Sequence, residues 1–293
     1  MIYIIGNNGL TFYLAAKLQD SGKDIRIMAN KDENVHIETN GVNLKEEHNL
    51  SKKHYKFKTS FLIKEKPELV IISCDACRLN YYLTLLSGKT LKNTPVFFFP
   101  QVKEIDYIKD LLSNDLIRVY FDGYLNRNDQ LITLYGRTPS IQICGNLKKH
   151  SLKQALGILE DTNLLFTVDE NENQAFWNFF VPYAAGSIFS TYHGQNLSQL
   201  IHKVEYKDEL KTLTDELIDL ASKDLVYIPR EETLTKLYST PSNYTFPLFN
   251  SYKSGTKNDV ALICGTLNDQ IHKTSSNPPV LSKIIKKIYS SFA

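Results

Sequence analysis

Residues 1–30 constrain the fold more than any other stretch of this chain. Ile2-Tyr3-Ile4-Ile5 is a short, wholly apolar run of the kind that makes a parallel strand covered on both faces. The turn Gly6-Asn7-Asn8-Gly9-Leu10-Thr11 follows, and Phe12 to Leu18 then carries apolar positions at the spacing of one helix face. Ser21-Gly22 ends that helix, and Ile25 to Ala29 supplies a second strand. Strand, glycine turn, helix and strand in this order open a doubly wound sheet. The helix N-terminus behind such a turn offers N–H groups to an anion.

In a Rossmann-type turn the first glycine makes the bend, the second lets backbone approach a pyrophosphate, and the third lets the helix pack closely. Gly6 takes the first place, Asn8 the second and Thr11 the third, with Gly9 one position after the second. Asparagine tolerates left-handed backbone angles, so Asn7 and Asn8 are compatible with the bend, although a Cβ crowds a pyrophosphate. The expectation is that Gly6, Asn7, Asn8, Gly9, Leu10 and Thr11 cradle a dinucleotide. The second strand ends Ala29-Asn30-Lys31-Asp32. Lys31 facing a 2′-phosphate, with Asn30 bonding it, favours NADP(H) over NAD(H); Asp32 argues the other way, and a plain polar turn is the alternative.

The stretch 33–66 is harder to place, with Val42-Asn43-Leu44 and Tyr55-Lys56-Phe57 as candidate short strands. Glu68 to Cys74 predicts a central strand, 76–88 a helix, Pro95 to Pro100 a strand and Ile105 to Leu112 another helix. Apolar pieces at 116–121, 131–135 and 141–144 predict mixed or antiparallel edge strands. A helix at Leu152–Leu159 and an extended piece at Asn163–Val168 close this region. Helical spacing then dominates at Gln174–Tyr192, Asn196–Ala221, Glu231–Leu237, Val260–His272 and Pro279–Phe292. The predicted fold class is α/β: a Rossmann-like nucleotide-binding domain over 1–168, then an all-helical substrate or interaction domain over 169–293.

Composition excludes several functions. The formal charge is +2 and the lysines fall in short, scattered runs, so nucleic acid is not an expected partner. No apolar run reaches the roughly 18 residues of a membrane span, and no basic leader precedes Ile2, which predicts a cytoplasmic protein without membrane attachment. Four cysteines are too few for a disulfide scaffold, and Cys74 with Cys77 lacks the second pair that a zinc site needs. No metal is expected.

The order of segments resembles the ketopantoate reductase (2-dehydropantoate 2-reductase) family. The similar pieces are Ile2–Leu18, Ile25–Lys31, Glu68–Arg78, Val96–Val102, Ala175–Ser190 and Gly255–Leu267. The resemblance implies a Rossmann domain followed by a helical domain, NADPH as cofactor and a small 2-keto acid as substrate, typically ketopantoate in pantothenate synthesis. The oligomeric expectation is a monomer or homodimer.

The family's motifs are altered in this chain. Its catalytic helix carries Trp, then a proton-donating Lys, then two substrate-binding Asn residues. Anchoring on Trp177 puts Phe179 at the lysine, Tyr183 at the first asparagine and Ser187 at the second. Gln101 stands nearest the family's substrate-side Asn, and Asp75 replaces a nucleotide-contacting Lys, with Cys74 beside it at the strand's end. Asp259 keeps the carboxylate of the C-terminal motif. The resemblance thus makes Tyr183, Gln101, Ser187 and Asp259 the catalytic candidates and adds Cys74 to the cofactor contacts.

Reducing a keto acid requires a proton or dipole at the carbonyl oxygen. Phe179 supplies neither, and Tyr183, one turn on, is the replacement donor, with an aromatic packing role as its alternative. Asp259 either orients a substrate hydroxyl or caps a helix. His193 with Tyr192 forms a further acid pair, and Lys203 or Arg230 a carboxylate clamp, each set against a surface role. The second functional reading is a catalytically silent nucleotide- or metabolite-binding protein.

Overall fold

A computed structural model describes residues 1–74, 79, 82, 94–100, 116–256 and 258–291. The chain divides into two compact units, one ending at Glu172 and one beginning, after it, at Asn173. The predicted helix at 105–112, most of that at 76–88, and Asp75, Cys77 and Gln101 lie outside the described residues.

The first unit runs β1 (Ile2–Ile5), α1 (Gly9–Asp20), β2 (Ile25–Met28), α2 (Lys31–Asn40), β3 (Val42–Glu46), β4 (Ser51–Tyr55), β5 (Leu69–Ile72), β6 (Val96–Phe98), β7 (Leu116–Asn128), β8 (Leu131–Cys144), α3 (His150–Glu160) and β9 (Leu165–Asp169). Its sheet has the order β2-β1-β5-β6-β7-β8-β3-β4, with β9 also paired to β8. Strands β2, β1, β5, β6 and the start of β7 are parallel. Side chains alternate between the faces of β1: Ile2 and Ile4 join a core with Phe12, Leu14 and Leu18, while Tyr3 and Ile5 join a second with Val70, Ile72 and Tyr82. Burial on both faces is why the strand is apolar throughout.

The pieces expected as separate edge strands at 116–121, 131–135 and 141–144 form one long antiparallel pair inside the sheet. Beyond the pair, β8 accepts β3 along its first half and β9 along its last. The pairing shifts register at Asp122–Tyr124. There a Cβ on Gly123 meets Pro139 Cβ at 2.5 Å and the Phe121 ring at 2.8 Å, so the bulge requires glycine. Beyond the bulge, β7 reaches the first turn of α1, where a Cβ on Gly9 lies 3.6 Å from Leu125 Cβ.

The polar turn considered at 30–32 is instead the start of α2. Asn30 Oδ1 accepts from Glu33 N at 2.9 Å as the N-cap, and Gly41, at φ 67°, closes the helix with its N–H on Ile37 O. Only Asn34 and Ile37 of α2 are buried, so no apolar stripe marks it in the sequence.

The second unit is helical: α4 (Glu172–His193), α5 (Leu197–Leu200), α6 (Val204–Ser222), α7 (Arg230–Tyr238), α8 (Pro247–Lys253), α9 (Asn258–Thr274) and α10 (Pro279–Ser290). The stretch 196–221, expected as one helix, is divided between α5 and α6. Leu210, Leu213 and Leu217 of α6 and Leu281, Ile284 and Ile288 of α10 are buried at helical spacing. Glu216 of α6 caps α10, its carboxylate accepting from Val280 N at 3.0 Å and Leu281 N at 2.7 Å. Such a cap stabilises a helix start by roughly 1 kcal/mol.

Candidate functional site

The turn after β1 is built around Gly6. Its φ is 141°, a conformation that residues with a Cβ rarely adopt, and a Cβ there lies 2.7 Å from Thr11 Oγ1 and 2.8 Å from Ser73 O. The bend thus presses against the residue that follows β5. Thr11, at the third glycine place, is fully buried. Its hydroxyl lies 2.9 Å from Ser73 Oγ, 3.2 Å from Ser73 O and 3.1 Å from Asn8 Oδ1. Where a glycine permits close packing, this threonine ties helix to strand through hydrogen bonds.

Neither asparagine uses left-handed angles; among the turn residues a positive φ belongs to Gly6. Asn8 is extended, with φ −91° and ψ 179°, and its Oδ1 caps α1 by accepting from Thr11 N at 3.0 Å. The side chain expected to crowd a phosphate is therefore engaged by the helix. Gly9 and Leu10 are the first two residues of α1, whose N–H groups have no intrahelical acceptor by position. They open beside the carboxyl ends of β1 and β5, where open parallel sheets bind ligands.

Asn30 is used as the cap of α2, and Lys31, the first residue of that helix, is exposed. Cys74 is buried in the apolar core with Tyr3, Ile5 and Leu79. Cys74, Cys144 and Cys264 form no disulfide, and burial pushes the Cys144 and Cys264 thiols up to about 12.

Sequence reasoning missed Arg127, on the far half of β7. Its Nη1 donates to the Asn7 carbonyl, its Nη2 to Glu33 Oε1 at 2.5 Å and its Nε to Asp129 O at 2.8 Å. The guanidinium also lies 4.8 Å from the centre of the Phe12 ring. No local pattern marks this residue, because strand pairing alone brings it to the turn.

In the second unit, Trp177 Nε1 donates to Asp224 Oδ2 at 2.8 Å, anchoring α4. Phe179 and Tyr183 stack with ring centroids 5.4 Å apart and planes 17° apart, and Phe246 lies 6.2 Å from Tyr183. The place of the family's lysine is therefore half of an aromatic pair. Pro182 does not interrupt the helix. Ser187, expected on the same accessible face, is fully buried, and its Oγ has no hydrogen-bond partner among the described residues.

Asp259 accepts from Ser251 Oγ, joining the first turn of α9 to α8. His193 pairs with Glu209, Nε2 to Oε2 at 2.9 Å, and touches the rings of Phe189, Tyr192 and Tyr206. Burial, outweighing Glu209, holds the imidazole below its usual range. Arg230 is occupied by Asp215 through two bonds of 2.5 and 2.9 Å, and Lys203 lies over the Tyr206 ring. The contacts of His193, Arg230 and Lys203 are packing and surface arrangements. Among the described residues there is no cluster of potential metal ligands, and no helix is long and apolar enough to cross a membrane.

Comparison with known proteins places this geometry. Residues 2–100 match the family model of ketopantoate reductase PanE/ApbA. No curated protein matches the sequence. Among solved structures, a D-mandelate dehydrogenase with NADH and anilino(oxo)acetate superposes with a TM-score of 0.84 at 13% identity, covering 100% of this chain and 98% of its own. The 2-dehydropantoate 2-reductase of Geobacter metallireducens gives 0.84 at 14%, with 99% of each chain covered. A dimeric ketopantoate reductase of Staphylococcus aureus gives 0.80 at 12%, covering 99% of this chain and 98% of its own. At these identities the likeness is one of fold. The chain resembles the ketopantoate reductase family, by sequence pattern over its first 100 residues and by fold along its length.

Proposed function

We propose that the chain is an oxidoreductase that binds a nicotinamide dinucleotide, NADPH in preference to NADH, and reduces a small 2-keto acid. The observation that carries this reading is Gly6, whose backbone conformation and lack of room for a Cβ are those of a dinucleotide turn. Gly6, Asn7, Asn8, Gly9 and Leu10 would hold the pyrophosphate, with Thr11 fixing the turn behind them. Lys31 would meet the 2′-phosphate, alongside the Asn30 amide. A bound nicotinamide supplies hydride; the protein's part is to orient the carbonyl and place a proton near its oxygen. Tyr183 is the assigned donor, with Gln101 and Asp259 as substrate-side groups. The unit up to Glu172 would be the dinucleotide domain and the helical unit the substrate domain.

The Phe179 and Tyr183 stack favours a second reading, a family-like protein that keeps the dinucleotide and has lost turnover. Calorimetric titration with NADPH and NADH tests what the two readings share: micromolar binding of NADPH is expected, and binding of neither sinks both. A keto-acid panel that includes ketopantoate then separates them. Turnover by the wild type that Tyr183→Phe lowers at least tenfold supports the active reading. Turnover appearing only in Phe179→Lys supports the silent one.

A further inference from the structure

We infer that Arg127 is a positioning residue for the dinucleotide turn, bracing the Asn7 carbonyl against Glu33 so that the start of α1 is held ready for a pyrophosphate. This inference rests on the dinucleotide reading above. Three nitrogens of one guanidinium meet three acceptors from different parts of the chain: Asn7 O in the turn, Glu33 Oε1 in the first turn of α2, and Asp129 O in the β7–β8 turn. The side chains of Arg127 and Glu33 are only 19% and 17% exposed, so solvent screens the pair weakly. A planar guanidinium serves acceptors in fixed directions, which makes it a fixture as well as a charge.

The consequence follows from peptide geometry. In a trans peptide the carbonyl and the following N–H point in opposite directions. Fixing the Asn7 carbonyl toward β7 therefore fixes the plane of the Asn7–Asn8 peptide, from which α1 departs. The β7–β8 turn is itself seated on α2, where Gln130 Nε2 lies 3.2 Å from His36 Nε2. The turn is thus held from two directions: by Ser73 through Thr11, and by β7 and α2 through Arg127. With Nη1, Nη2 and Nε all donating within the protein and Glu33 balancing its charge, Arg127 acts through Asn7 rather than by gripping a phosphate.

Two measurements on wild type, Arg127→Met and Arg127→Lys test the brace: amide hydrogen exchange over residues 6–12 without ligand, and calorimetric affinity for NADPH and NADH. Arg127→Met is expected to speed exchange at 7–11, leave β5 and α3 unchanged, and weaken both dinucleotides about tenfold, as loss of a charge-assisted bond would. Lysine keeps the charge but not the fork, so Arg127→Lys should track Arg127→Met. Wild-type affinity in Arg127→Lys, unchanged exchange in Arg127→Met, or faster exchange with unchanged affinity would each overturn the inference. If the wild type binds neither dinucleotide while Arg127→Met loosens the turn, the dinucleotide reading fails and the brace stands as a property of the turn. Should Arg127→Met not fold, Glu33→Gln removes one anchor with Arg127 in place; faster exchange over 7–11 is again expected, and its absence again counts against the brace.

Discussion

Glu46 illustrates what single side chains contribute to this fold. It lies on β3 with its carboxylate 2.6 Å from Lys17 Nζ of α1, and its side chain is 9% exposed. Burial alone would push the carboxyl up, but hydrogen bonds from Lys17 and Asn49 and the charge of Lys17 outweigh it and hold the group below its usual range. A carboxyl that binds its proton less readily when folded stabilises the fold above the ordinary carboxylate range, and that stability is lost as pH falls through the folded value. Glu46→Gln should therefore cost on the order of 1 kcal/mol at pH 7, allowing for solvent screening of the pair. In urea titrations over a pH series the gap from wild type should close as pH falls below about 4; a gap independent of pH would refute the linkage. Nothing near Glu46 in the sequence points to Lys17, just as nothing near Arg127 points to Asn7, because both pairs are made by sheet topology. Gly6 and Thr11 were legible because the motif that explains them is local. Asn8 was legible in place but not in conformation: capping, not left-handed backbone, is what it supplies.

The long elements were legible to the degree that their burial is periodic. Helix α4 and strand β1 are nearly continuous in apolar character, whereas α2 buries only two side chains and is defined by its caps. In the sequence β7 was cut short after 121 and β8 was split in two, because the residues around Gly123 and Gly136 are polar or small and the pairing skips them, passing from Asp122–Ser140 to Tyr124–Tyr135. Contact between elements also decides the sign of substitutions. Gly186 in α4 would ordinarily gain roughly 1 kcal/mol of helix stability on conversion to alanine. Here a Cβ would run into the Phe246 ring, which packs on Tyr244 at 5.0 Å and beside Tyr183. Overpacking of this kind costs about 1 to 3 kcal/mol, so Gly186→Ala should destabilise the protein. A urea midpoint equal to or above wild type would show that Phe246 yields freely.

The chain divides into two compact units, and every described strand belongs to the first. Compact units of one chain tend to open as their own cooperative blocks. The chain's one tryptophan, Trp177, is buried and bonded to Asp224 of the same second unit, so its emission reports that unit. Amide hydrogen exchange across β1 and β5, followed through the same urea series, reports the first. The urea curves from these two signals should accordingly not coincide, as is expected when folding is not a single two-state event. Gly6→Ala sharpens the test. Forcing a Cβ into a conformation that favours glycine, against Thr11 and Ser73, should cost about 2 kcal/mol within the first unit. The strand transition should then move to lower urea while the Trp177 transition stays in place. A common shift of both curves would mean that the units open as one block, and the strain at Gly6 would then be felt as far as the aromatic helix that carries Phe179 and Tyr183.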